Sequence, residues 1–119
     1  MSPVQDVTAE GMAKLWSRMK TVAITTTGAS GDVTVHSTTS GLYFLCFYLY
    51  VQSANAISVT FKSGSTAISG AIPFLAVGEK TFVADGVPVF KGRAAGDAFV
   101  LNASGSTDLR GFAMIAERE

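Results

Sequence analysis

The segment Leu42–Val51, LYFLCFYLYV, is the feature that most constrains the fold. Ten apolar or aromatic residues are too few to span a bilayer as a helix, which needs roughly 20. Aromatic side chains fit the pleated surface of a sheet, so the run predicts a strand. A strand presents alternate residues to opposite faces. One face here carries Tyr43, Leu45, Phe47, Leu49 and Val51, and the other carries Leu42, Phe44, Cys46, Tyr48 and Tyr50. Both faces are apolar. A strand of a two-layer sandwich buries one face in the core and turns the other outward. The second face therefore needs a cover, either the chain's own N-terminal segment or another subunit. The sequence assigns Leu45, Phe47 and Leu49 to the core. It assigns Phe44, Tyr48 and Tyr50 to a subunit interface, because tyrosine buries a ring while keeping its hydroxyl at a polar rim.

The rest of the chain follows the same period of two. Val22 and Ile24 alternate with Thr21, Ala23 and Thr25; GASGD, Gly28–Asp32, reads as a turn before Val33 and Val35. In ISVTFKS, Ile57, Val59 and Phe61 share one face. Pro73 demotes Ile72–Val77 to an edge strand or loop. Asp85-Gly86 predicts a hairpin between Thr81–Ala84 and Val87–Phe90. Ala98–Asn102 and Phe112–Ala116 read as closing strands around a Ser104–Asp108 loop. About eight short strands with frequent turn signals predict an all-β antiparallel sandwich over residues 21–119. Residues 1–20 form a separate arm or short helix. There Met12, Leu15, Trp16 and Met19 repeat at the spacing of one helix face. With Leu15 and Trp16 adjacent, these four are the expected anchor to a capsid or a neighbouring subunit.

Composition narrows the functional classes. The 119 residues carry nine basic and nine acidic side chains, so the formal net charge is zero. Charged residues make up 15% of the chain, against about 25% in an ordinary soluble domain. Nothing in this balance favours nucleic acid, which is bound by a basic excess. No apolar run predicts a membrane helix. One cysteine, Cys46, offers neither a disulfide within the chain nor a thiolate metal cluster, and its apolar setting reads as packing. His36 reads as an exposed strand histidine without an orienting partner. Asp32, Asp85, Asp97 and Asp108 sit beside glycine or small polar residues, where aspartate serves turns. The stretch Gly92–Gly96 lacks the Lys-Ser/Thr ending of a phosphate loop. The sequence thus predicts no enzyme, no cofactor and no metal.

Two stretches carry a family resemblance. VTFKSGSTAISG, Val59–Gly70, and AAGDAFVLNASGS, Ala94–Ser106, the latter followed by Arg110-Gly111 and an apolar strand, resemble small virion proteins of tailed bacteriophages in composition, order and spacing. The resemblance covers Ile57 to Glu117; Phe99 stands where such proteins more often have an aliphatic residue. It implies a jelly-roll-like sandwich that trimerises on a particle. The function it implies is capsid decoration, a cement protein bound to the major capsid protein on the head surface. The alternative is a head or tail fibre module that contacts host carbohydrate. Small loop residues, with most aromatics inside strands, favour decoration.

Overall fold

The computed structural model describes residues 19–119. The described residues are all-β and antiparallel, with eight strands among them: β1 Lys20–His36, β2 Tyr43–Ser53, β3 Ile57–Ser63, β4 Thr66–Ala67, β5 Ile72–Phe74, β6 Gly78–Val83, β7 Phe90–Lys91 and β8 Phe99–Arg118. Among the described residues no helix is long and apolar enough to cross a membrane. The predicted Met12, Leu15 and Trp16 anchor lies outside the described residues, and Met19 is half-buried.

Two strands are much longer than the sequence predicts. β1 runs 17 residues through the expected GASGD turn, and β8 runs 20 residues through the expected Ser104–Asp108 loop. The two pair with each other along nearly their whole length. At roughly 3.3 Å per residue, β8 would extend about 66 Å if straight. The longest dimension of the molecule is 45 Å. Both strands therefore bend, and they bend together. The bend falls where the register slips between Thr26, Ala29 and Gly31 of β1, opposite Thr107 and Ala103 of β8. Gly28 and Gly31 have φ of 63° and 79°, a region open to glycine at little cost. Side chains replace the missing ladder bonds. The Gly28 amide donates to Asp108 Oδ1 at 2.7 Å, the Leu109 amide donates to Thr26 Oγ1 at 3.1 Å, and the Arg110 guanidinium donates to the Thr26 carbonyl. Turn-forming residues here make paired bulges at a corner, the device by which a strand passes from one layer to the next.

The corner divides the sheet into two layers. In one, the first part of β8 pairs with β3, which pairs with β4 and β5. In the other, the second part of β8 pairs with β2, which pairs with β6 and β7. Pro73 lies in β5, which pairs with β3 alone, in keeping with an edge. The Asp85-Gly86 turn is closed by a bridge between Ala84 and Val87.

Odd-numbered residues of β8 face inward throughout: Phe99, Leu101, Ala103, Thr107, Leu109, Ala113 and Ile115 are all buried. They meet Val59 and Phe61 of β3, and Phe44, Cys46, Leu49 and Val51 of β2. Aromatic rings fill the centre: Phe99 stacks on Phe44 at 4.8 Å and meets Phe61 at 5.8 Å, and Phe61 meets Phe90 at 4.6 Å.

The two apolar faces of β2 have a structural cause. Cys46 pairs with Ile115, but Tyr48 pairs with Met114, so Phe47 is an extra residue with no partner on β8. This bulge exchanges the faces midway. Even-numbered Phe44 and Cys46 point into the core before it, and odd-numbered Leu49, Val51 and Ser53 after it. Two sequence expectations are corrected by this. Phe44, assigned to a subunit interface, is completely buried and stacked on Phe99. Phe47, assigned to the core, is the half-buried bulge residue. Leu45 is buried as expected, but on the opposite face and outside the core cluster.

Candidate interaction surface

The outward face of the β2 layer concentrates large apolar groups. Strand register aligns them in two rows. Val83 of β6, Tyr48 of β2, Met114 of β8 and Thr21 of β1 form one; Thr81, Tyr50, Phe112 and Ala23 form the next. The Tyr48 ring stacks on Phe112 at 5.5 Å with 16° between planes, and Tyr50 tilts against the same ring at 6.1 Å. Val83 is 61% exposed and Phe112 is 37% exposed. Tyr48, Tyr50 and Met114 are half-buried.

Neither row carries an ionised side chain. The nearest, Glu79 at the margin, accepts a 2.5 Å hydrogen bond from the Tyr50 hydroxyl. That bond to a carboxylate, with lesser desolvation and charge effects, raises the Tyr50 phenol above its ordinary value. The ring thus lies on the patch while its hydroxyl is held at a polar rim, the arrangement favoured in protein interfaces.

The sequence located Tyr48 and Tyr50 on this surface and missed Phe112, Met114 and Val83. Phe112 and Met114 were legible in principle. The alternation that buries Ala113 and Ile115 turns both of them outward, once β8 is one strand.

Elsewhere the polar groups act within the fold. His36, expected to be exposed, has an orienting partner after all: its Nε2 lies 2.7 Å from Glu117 Oε2, and both side chains are about four-fifths covered. Glu117 also accepts the Thr39 amide at 3.0 Å. Partial desolvation alone would raise the Glu117 carboxyl, but the bonds from Thr39 and His36 outweigh it and hold it below the usual range. The pair ties the end of β1 to the end of β8, beside an open cavity of about 470 Å³ reached by Lys20 and Leu42. Asp32 accepts from Asn102 at 2.7 Å and from Lys62 at 3.1 Å, which lowers its pKa. Burial pushes the Cys46 thiol up to about 12, so it stays protonated and inert. Among the described residues no group of three or more histidine, cysteine or carboxylate side chains could hold a metal.

No family model matches this chain, and no curated protein matches it significantly. One solved structure similar to it is a protein from Bacillus endospore appendages, described as a novel family of disulfide-linked pili. The two share 16% identity over 83% of this chain and 84% of that one, with a TM-score of 0.49.

Proposed function

We propose that this chain is a structural virion protein, a capsid decoration subunit that associates with copies of itself and with the major capsid protein on the head surface. The observation that carries the reading is the uncharged aromatic surface of Tyr48, Tyr50 and Phe112, flanked by Val83 and Met114. Contiguous apolar surface rimmed by polar groups marks an association site in a soluble domain. The phage-like stretches Val59–Gly70 and Ala94–Ser106 supply the virion context. A homotrimer is the assembly that resemblance implies, with Met12, Leu15, Trp16 and Met19 as the anchor to the shell.

Two measurements test this. In purified particles the protein should be present in hundreds of copies; a dozen or fewer would indicate a fibre instead. The double variant Tyr48→Ala, Tyr50→Ala should lower the sedimentation coefficient of the assembled protein while each subunit remains folded. An unchanged assembly would remove the aromatic surface from the reading.

A further inference from the structure

The N-terminal part of β1 is an unusually bare sheet edge. β1 pairs with β8 on one side, and among the described residues no strand pairs with its other side. Proteins commonly blunt such edges with charge, proline or bulges, because unpaired amides and carbonyls recruit another strand. The second half of β1 is blunted in this way. It has register slips between Thr26 and Gly31, then Asp32 and His36. Beyond Lys20 at its start, the first half has none of these devices. Thr21–Thr26, TVAITT, contains no charge and no proline and pairs with β8 without a slip. Four of its six residues are β-branched threonine or isoleucine, and a fifth is valine, the side chains that best fit a sheet.

We propose that this edge pairs antiparallel with the same edge of a second copy, about a two-fold axis at Ala23. The sequence of the edge matches itself in that register. Val22 and Ile24, which face inward, stand opposite each other, so the core layer continues from one copy into the next. Thr21 and Thr25, which face outward and are exposed, also stand opposite each other, a favourable cross-strand pair. Lys20 falls opposite Thr26, so no like charges meet. The neighbouring registers that keep both faces aligned are worse. An axis at Ile24 sets Val22 against Thr26, and an axis at Val22 sets Lys20 against Ile24. An isologous contact of this kind closes on itself and does not propagate. Thr21 and Ala23 also end the two rows of the aromatic face, but the edge contact is made by backbone groups in one register, and the register is what separates it from a contact of the rings.

Single cysteines in the full chain test the register, because native Cys46 is buried. Across the proposed axis the two Ala23 Cα atoms lie about 5 Å apart, within disulfide reach. Two Thr25 residues would be four positions out of register, about 13 Å apart, and out of reach. Under mild oxidation A23C should form covalent dimers and T25C should not. A second experiment reads the same axis by charge. A23K and A23E should each lose the edge contact, and an equimolar mixture should recover it as a heterodimer. Ala23 is exposed, so both variants should keep the circular dichroism of the native fold. Failure of A23C to link, equal linking by T25C, or no recovery on mixing would each overturn the proposal. The last two outcomes respectively indicate random collision and an edge occupied by another segment.

Discussion

Phe99 shows how much one side chain carries in this fold. Its ring stacks on Phe44 from β2 and contacts Phe61 and Phe90, so it joins both layers. Phe44 belongs to the same stack. Phe44→Ala should therefore cost about 3–5 kcal/mol of folding stability, read as a lower denaturant midpoint, instead of merely dissociating subunits. Gly111 is the opposite case, a position that must stay empty. A Cβ there would be built into the Tyr50 carbonyl, with Val51 Cα only 3.0 Å away. Backbone cannot swing aside as a side-chain tip can. Gly111→Ala should destabilise by about 3 kcal/mol, the upper part of the range for overpacking. Gly70 is the control: nothing lies near its missing Cβ and its φ is not positive, so Gly70→Ala should change stability by about 0.5 kcal/mol or less.

At the scale of elements, the Phe47 bulge decides which side of β2 is core. Before it the even residues are inside; after it the odd ones are. Deleting Phe47 would make Cys46 and Tyr48 neighbours opposite the neighbours Ile115 and Met114, so a regular ladder would keep Phe44, Cys46, Leu49 and Val51 inside and Tyr48 and Tyr50 outside. The deletion, like Phe47→Ala, should therefore keep a cooperative thermal transition; its loss would mean that the bulge is needed for more than setting the faces. The corner between β1 and β8 obeys similar logic, since both strands carry glycine, serine and aspartate at one level and bend as a pair. At the far end, Glu117 closes the layers through His36 and Thr39. Its folded pKa lies below the unfolded value of 4.5. The charged form is thus favoured by folding, and its stabilisation is present above that value and lost as pH falls through the lower folded pKa. Glu117→Gln should remove this contribution. Melting temperatures of the variant and the parent should differ near neutrality and converge below the carboxylate range.

Residues 19–119 form an elongated body, 45 by 24 by 21 Å. Two of its surfaces are the ones we propose for association. One is the aromatic outer face of the β2 layer, and the other is the bare edge of β1. If the face is an interface, removing Tyr48 and Tyr50 separates assembly from folding, because both rings lie outside the buried core. Thermal melting should then stay within a few degrees of the parent while sedimentation slows. Loss of the folded subunit instead would mean that the rings shield the sheet and join nothing.

Much of this was legible in the chain, and the limits have physical causes. The period of two along Val22–Thr25 and Ile57–Ser63, with the short apolar segments Ala98–Asn102 and Phe112–Ala116, determined an antiparallel all-β sandwich, because one face of each strand must be dry. The aromatic surplus of Leu42–Val51 determined that large rings would remain outside the core. What the sequence could not decide is where a glycine-rich segment ends a strand and where it only bends one. Gly28–Asp32 and Ser104–Asp108 have turn chemistry taken singly, and only their lateral pairing converts them into bulges of two continuous strands. Nor could alternation fix the faces of β2. Every residue from Leu42 to Val51 is apolar or aromatic, so a one-residue bulge exchanges the faces without putting a polar group in the core. The ladder to β8 decides where that exchange falls, and it moved Phe44 from the expected interface to the centre of the protein.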